Sequence, residues 1–422
     1  MQIRILTLSW EYPPYKIGGI AEHVYELSKA LTRKGQEVHV ITLGTFSYEE
    51  KGGVHLHRIA VDPSKPDFIT RMNEAMKKIG ASIIESPDTV INIIHAHDWM
   101  VGSAAIELAF RYRKPLVATI HSTEFGRSQG VKGEYQMKIH EVEKQLVRLS
   151  DHVIVCSESM KKEIQGLFGV IGKISVIPNG IDVSKFDFEV DGEATKEKFC
   201  GQSSVKMILF LGRLVYQKGV NVLIGALPII LSRYSKGKKD VKLVIVGEGP
   251  MRKQLEKDAA SLGVSKNVVF TGYLDDYMVR SLLKAADVVV VPSLYEPFGI
   301  VAIEAMAAKT PVVVSDIDGL SELISDGEGI KVPPNNSERL AARIVKILSD
   351  TEEGKKRAKE MVEKGFKKAL SLNWDTVTEA TIGVYAKVLA QASTDIPAQE
   401  MEIETGIETG TEKRELWKYS YS

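Results

Sequence analysis

The chain reads as α/β, with two Rossmann-like domains facing each other across a cleft. Three observations predict this. The 422 residues exceed what one ordinary core organises, so two domains are expected. Short, near-continuous Val/Ile/Leu runs recur along the chain, as parallel strands covered on both faces require. Longer stretches of helical period separate these runs in both halves, and repeated βα units build doubly wound sheets.

Taken in order, the first half offers strands at Ile3–Leu8, Val38–Leu43, Val54–Ile59, Val90–His95, Leu116–Ile120 and Val153–Cys156. Helical patterns at Ala21–Lys34 and Ser103–Tyr112 lie between them. The second half offers strands at Met207–Leu211, Lys242–Val246, Val268–Thr271, Val288–Val291 and Val312–Ser315, again with helices between. The boundary falls at Pro178-Asn179-Gly180-Ile181-Asp182, so the domains span 1–180 and 181–373. An irregular, charged stretch continues to about Ser204 and reads as a hinge. The helical pattern from Trp374, ending near residue 392, is expected to pack back on the first domain. From 393 to 422 the chain turns polar and Thr/Glu-rich and reads as a flexible tail. Its aromatic end, Trp417-Lys418-Tyr419-Ser420-Tyr421, leaves two readings open, a docking segment or disorder.

The bulk composition narrows the function. Lys+Arg and Asp+Glu balance at 55 each, so no overall attraction to nucleic acid or to an anionic membrane is expected. Two cysteines, Cys156 and Cys200, are too few for a disulfide framework. No apolar run is long enough to cross a bilayer. Met1-Gln2-Ile3-Arg4 leads straight into a strand pattern, which predicts a cytoplasmic protein without a leader.

The most informative stretch is Tyr295-Glu296-Pro297-Phe298-Gly299-Ile300 with Glu304. A short apolar strand runs into a Pro/Gly turn and a helix leaves it. The free N–H groups at that helix start, around Phe298 to Val301, make an anion site. Glu296 stands before it and Glu304 one turn in. A carboxylate, an anion cradle and a second carboxylate in line suit a sugar, a diphosphate and a ribose. Arg213 and Lys218, on the loop Gly212-Arg213-Leu214-Val215-Tyr216-Gln217-Lys218-Gly219, are two cations at a strand's end. They suit a diphosphate leaving group, one as a planar fork and one as a mobile point charge. Taken singly, either is explained as a solvated cation.

Further candidates follow other strands. Lys16-Ile17-Gly18-Gly19 opens a helix where glycines allow close backbone approach and Lys16 can reach an anion. It lacks the G-x-G-x-x-G spacing of a dinucleotide site. Gly249, in Gly247-Glu248-Gly249-Pro250, and Tyr273 could line a nucleotide pocket or serve only as turn residues. In His95-Ala96-His97-Asp98 the two imidazoles are read as facing opposite sides of a strand, with no third ligand nearby in sequence. A structural or substrate-facing role is therefore favoured over a metal for His97, and Asp98 lies where α/β sheets place ligand contacts. His121 sits just past a buried strand and fits a sugar hydroxyl or an ordinary loop bond equally well.

Together these blocks resemble the retaining GT-B glycosyltransferases, closest to the family 4 and family 5 enzymes that include glycogen and starch synthases. The resemblance covers about the first 390 residues. Its most specific element is Glu296-Pro297-Phe298-Gly299 with Glu304, which looks like the E-x7-E signature. Lys16-Ile17-Gly18-Gly19 looks like the K-x-G-G loop of glucan synthases, and His97-Asp98-Trp99, Asn179-Gly180-Ile181-Asp182 and Gly212-Arg213 with Lys218-Gly219 also match. The resemblance implies an acceptor-binding first domain and a donor-binding second domain. It implies that Glu296 holds the donor sugar and that His121 bonds a sugar hydroxyl near the reacting carbon. Arg213 and Lys218 would neutralise the diphosphate, and Glu304 would bind the ribose. The Gly18-Gly19 backbone would approach phosphate or sugar. Gly249, Tyr273, Phe298, Gly299 and Ile300 would complete the donor pocket.

The resemblance also implies an ADP- or UDP-glucose donor, an α-glucan acceptor, no cofactor and no metal. No D-x-D motif stands at a matching loop. Phe298 replaces the Cys of many glucan synthases, and the longer insertions of many family 5 members are missing. These departures bear on the acceptor. Rival readings are a family 4 hexosyltransferase with a lipid or small-molecule acceptor, a GT-B-fold sugar-nucleotide epimerase, and a nucleotide-sugar-binding scaffold without turnover. A lipid acceptor would call for a basic amphipathic face. Arg71–Gly80, with Lys77 and Lys78, is its best candidate.

Overall fold

The computed structural model describes residues 2–234, 240–349 and 351–394. The tail expected at 393–422 lies outside these residues from 395 onward. Each apolar run becomes a strand because alternate side chains on both faces meet a helical layer. The first sheet has eight strands: β1 (Arg4–Leu8), β2 (Glu37–Leu43), β3 (Ser47–Lys51), β4 (Val54–Ile59), β5 (Ile93–His97), β6 (Leu116–Ile120), β7 (His152–Val155) and β8 (Ile174–Val176). Their order is β3-β4-β2-β1-β5-β6-β7-β8, parallel except for edge strand β3. The second sheet has six parallel strands: β9 (Lys206–Leu211), β10 (Val241–Val246), β11 (Val268–Gly272), β12 (Val288–Val291), β13 (Val312–Ser315) and β14 (Ile330–Val332). Its order is β11-β10-β9-β12-β13-β14, with the topological switch at β9. Ligand clefts in such sheets lie outside the carboxyl ends of strands at that switch.

Around the first sheet run α1 (Gly19–Arg33), α2 (Phe68–Ile84), α3 (Gly102–Tyr112), α4 (Glu124–Arg127), α5 (Glu134–Leu149) and α6 (Glu158–Phe168). Around the second run α7 (Gly192–Cys200), α8 (Val220–Tyr234), α9 (Arg252–Ser261), α10 (Asp276–Ala285), α11 (Ile300–Ala307), α12 (Asp318–Leu323), α13 (Ser337–Leu348) and α14 (Glu352–Ser371). Helix α15 (Trp374–Thr394) returns to the first sheet. Its Trp374, Val377, Tyr385 and Val388 join Ile5, Val24 and Leu27 in one buried cluster. Leu6, Leu8 and Ile120 of the first half share a second cluster with Phe298, Ile303 and Leu320 of the second.

The chain crosses between the halves at two adjoining places. Ile181 N donates to Leu372 O at 2.7 Å. A Cβ on Gly180 would come within 2.7 Å of the Trp374 indole.

One expectation is corrected here. The Arg71–Gly80 stretch lies in α2, where Met72, Met76 and Gly80 are buried. Lys77 pairs there with Glu74 at 2.5 Å and Glu107 at 2.7 Å. A Cβ on Gly80 would stand 2.5 Å from Leu108 Cδ1 of α3. The apolar positions of this helix serve the core, so it does not present an apolar face to a membrane.

Candidate active site

The second half supplies one wall of the cleft. Gly219 takes φ +64°, and a Cβ there would stand 2.0 Å from Pro292 O. Only glycine lets the turn after β9 slide under the end of β12. Leu294 N then donates to Gln217 O at 2.7 Å. This joins the two loops and sets Lys218 Nζ 2.6 Å from Glu296 Oε2. Ser293 Oγ donates to the same oxygen at 3.1 Å, and Glu296 N donates to Asp318 Oδ2 at 3.2 Å. Gly299, at φ +106°, turns the chain into α11, where a Cβ would lie 2.4 Å from Leu320. Phe298 is buried in the shared core and anchors the turn. The N–H groups of Ile300 and Val301 have no hydrogen-bond partner among the described residues. Glu304 stands one turn on, its carboxyl pushed up to about 7 by burial and then by the Glu22 carboxylate.

Other donor candidates sit at the rim. Arg213 is exposed, and its charge acts on Glu11 of the opposite half. Tyr273 is exposed beyond β11. Gly249 has a packing reason of its own, since a Cβ there would stand 2.5 Å from Leu214 O.

The first half supplies the facing wall. Glu11, just past β1, is buried and accepts from Ile17 N at 2.8 Å and Gly18 N at 2.7 Å. The Gly18 N–H thus serves Glu11 and is not aimed at a phosphate. A Cβ on Gly19 would stand 2.5 Å from Ile300 Cδ1, so the starts of α1 and α11 abut across the cleft. Lys16 Nζ pairs with Asp276 at 2.8 Å and Glu22 at 3.2 Å. Its charge is committed to a bridge between the halves.

Deeper in, strand β5 runs on to His97, later than the expected end at His95. Side chains two apart on a strand share a face, and the His95 and His97 rings lie 4.2 Å apart. The expectation of opposite faces is corrected on that ground. His95 is structural, with Nδ1 at 2.7 Å from the Tyr385 hydroxyl and Nε2 at 2.7 Å from Thr119 Oγ1. His97 Nδ1 lies 3.1 Å from His121 Nε2, and its buried Nε2 has no hydrogen-bond partner among the described residues. Helix α1 adds His23, which contacts Asn179 Oδ1 through Nδ1 at 2.8 Å. Ligand atoms of His23, His97 and His121 lie within 4.8 Å of one another, a spacing open to a cation. Burial pushes His121 down to about 4 and His23 to about 3, which favours neutral rings.

Asp98 follows at φ +60°, a strained conformation for a non-glycine residue. The turn aims Oδ1 at His121 N, which donates at 2.6 Å. Burial pushes Asp98 up to about 6, against the pull of Arg127. Arg127 is shared by Glu124 at 3.1 Å and Glu143 at 3.0 Å. Burial pushes Glu143 up to about 7.

Tyr295 ties the walls together. Its ring fills the space over Gly126, where a Cβ would stand 2.1 Å from Cζ. Its hydroxyl donates to Glu163 Oε1 at 3.1 Å and accepts from Thr123 N at 3.3 Å. Glu296 and the loop carrying His121 are thereby fixed through one ring. Glu11, His23, Arg127, Glu143 and Tyr295 were not among the sequence candidates. Glu11 carried a usable signal, an acid just past a strand's carboxyl end, and Tyr295 opens the most informative stretch without being singled out there.

Two doubly wound units, opposed across a cleft lined by fixed cations and carboxylates, define a glycosyltransferase of the GT-B type. Residues 17–185 match the family model Glycosyltransferase Family 4, and residues 193–368 match Glycosyl transferases group 1. An uncharacterized glycosyltransferase of Methanocaldococcus jannaschii is 40% identical over 91% of this chain and 98% of its own. The glycogen synthase of Mycobacterium tuberculosis is 38% identical over 91% of this chain and 94% of its own. Among solved structures, sucrose-phosphate synthase from Thermosynechococcus elongatus superposes with a TM-score of 0.78 at 25% identity, covering 92% of this chain and all of that one. The chain belongs to the GT-B glycosyltransferases of the glycogen and starch synthase type. Among the described residues no helix is long and apolar enough to cross a membrane.

Proposed function

We propose that this protein is a retaining glucosyltransferase that moves glucose from ADP- or UDP-glucose to an α-glucan. The observation that carries the reading is one constellation. The Lys218–Glu296 pair stands before the unpartnered N–H groups of Ile300 and Val301, with Glu304 one turn further on. The amides and Lys218 receive the diphosphate, Arg213 closes on it from the rim, and Glu304 takes the ribose hydroxyls. Glu296 holds the sugar, and His121 and Asp98 face it from the other half. The 38% identity to a glycogen synthase, over nearly the full length of both chains, supports the glucan acceptor.

In this reading the bond between C1 of glucose and the diphosphate oxygen breaks while the acceptor hydroxyl oxygen attacks C1 from the same face. The acceptor proton passes to the departing phosphate oxygen. Positive charge grows on the sugar and negative charge on the diphosphate, so fixed cations and acceptors bind this state more strongly than the ground state. The chemistry calls for no cofactor and no divalent ion, because Lys218, Arg213 and the helix start supply the positive field. A sugar-phosphate or other small acceptor is the second reading. Its support is the likeness to a sucrose-phosphate synthase and the Phe298 departure.

The test is nucleotide release from ADP-glucose, UDP-glucose, GDP-mannose and UDP-GlcNAc, each alone, with glycogen and with a hexose phosphate. Release from a glucose donor that depends on glycogen is expected. Turnover of a glucose donor that ignores glycogen but responds to a sugar phosphate would overturn the glucan acceptor and keep the donor site.

A further inference from the structure

At the end of the first sheet opposite the cleft, a second group of histidines collects. Strands β2 and β4 pair in parallel with His39 beside His55. Side chains two apart share a face, so Glu37 and His39 of β2 and His55 and His57 of β4 gather on one side. Ligand atoms of Glu37, His39 and His55 lie within 4.8 Å of one another. His39 Nε2 and Glu37 Oε1 are 3.1 Å apart. That is near the roughly 3.3 Å separating two donors bound at about 2.0 Å to one tetrahedral zinc.

Each of the three is also held through its other polar atom. Arg4 Nε donates to Glu37 Oε2 at 2.7 Å. His39 Nδ1 lies 3.3 Å from His57 Nε2. His55 Nδ1 lies 2.9 Å from the hydroxyl of Tyr48 on edge strand β3. With both rings protonated at Nδ1, each imidazole donates to its holder and leaves Nε2 free as a ligand. Metal-binding histidines and carboxylates are characteristically held in this way, and the holders fix ring orientation and tautomer. His39 is buried and Glu37 and His55 are half-buried, so the cluster stands at the boundary between core and solvent. The His39 and His55 rings stack at 4.5 Å and 14°.

We propose that Glu37, His39 and His55 form a site for a divalent cation of the zinc class, held in place by Arg4, His57 and Tyr48. The donor set, two imidazoles and one carboxylate, suits zinc and cobalt and disfavours magnesium and calcium. The site lies at the amino-terminal ends of β2 and β4, away from the cleft at the carboxyl ends. Its occupancy therefore acts on the stability of this sheet edge and not on the transfer step.

The test uses the full-length protein stripped with a chelator and titrated with ZnCl2 by calorimetry and with CoCl2 by visible absorption. One equivalent of either ion should bind, with cobalt d–d bands of a low-symmetry, four- to five-coordinate site. H55Q should weaken zinc at least about 100-fold and R4Q about 10- to 100-fold, with glucosyl transfer by H55Q unchanged. H121Q, which alters the histidine trio of the cleft, should leave this binding intact. Equal binding by H55Q and the unaltered protein would overturn the site. So would loss of the ion in H121Q with retention in H55Q, which would place it in the cleft.

Discussion

Lys218 and Glu296 neutralise each other at 2.6 Å before any donor arrives. A diphosphate gives Lys218 a second partner, so the pair is poised to share its cation without leaving either charge bare. In the proposed reading, removing Lys218 takes one fixed cation away from the leaving group. Lys218→Met should lower kcat about 10²- to 10³-fold, the range for losing one preorganised donor at a developing charge. Glu296→Ala should abolish transfer while circular dichroism and nucleotide binding stay close to those of the unaltered protein. Full activity in that variant would remove Glu296 from the mechanism. Glu304 gives a pH prediction. Its folded-state value, about 7, lies above the ordinary 4.5. The folded state therefore keeps a proton that the unfolded chain gives up. The stabilising contribution is complete below about 4.5 and is lost as pH rises through 7. Glu304→Gln lacks this loss, so its melting temperature should gain on the unaltered protein between pH 5 and pH 8. A constant difference across that range would contradict the shift.

The helix start at α11 depends on Gly299, which combines φ +106° with contact against Leu320. Gly299→Ala should cost about 1–3 kcal/mol of stability, measured by denaturant unfolding, and raise KM for the donor. At this scale the interior strands were legible in the sequence. Val288–Val291 and Val312–Ser315 coincide with β12 and β13 because both faces of those strands are covered and every residue but Ser315 is apolar. Three edge strands escaped. Ser47–Lys51 is a polar, mostly exposed run that, among the described residues, pairs only with β4. Ile174–Val176 and Ile330–Val332 are too short to show a period and pair on one side only. The site divides in the same way. Lys218, Glu296 and Glu304 lie on local turn and helix signals. His23 and Tyr295 gain their places only when α1 or the opposite half folds against the cleft, and no local pattern announces that.

For the whole molecule, the decisive joint is Tyr295 over Gly126. Gly126→Val would fill the space the ring occupies and push the Glu296 loop away from the His121 loop. A displacement of about 1 Å at a reacting centre costs on the order of 10² in rate. kcat/KM should therefore fall about that much, while each half keeps its own core and the thermal transition persists. Unchanged kinetics would mean that the ring does not set the spacing of the two walls. A second joint supports the first. Glu322 of α12 accepts from Glu158 N at 2.9 Å and Ser159 N at 2.6 Å at the start of α6. Glu322→Ala should speed amide hydrogen exchange at those two positions without altering exchange in β5 or β6.

The return of α15 to the first sheet has a consequence for synthesis. Ile5, Val24 and Leu27 are made before the whole second half, yet the Trp374, Val377 and Tyr385 that cover them are made after it. His95 likewise waits for the hydroxyl of Tyr385. On the ribosome, the half that emerges first is the half completed last. A stalled or prematurely terminated chain exposes that bare apolar flank to chaperones and proteases, although every strand of its sheet has already been translated.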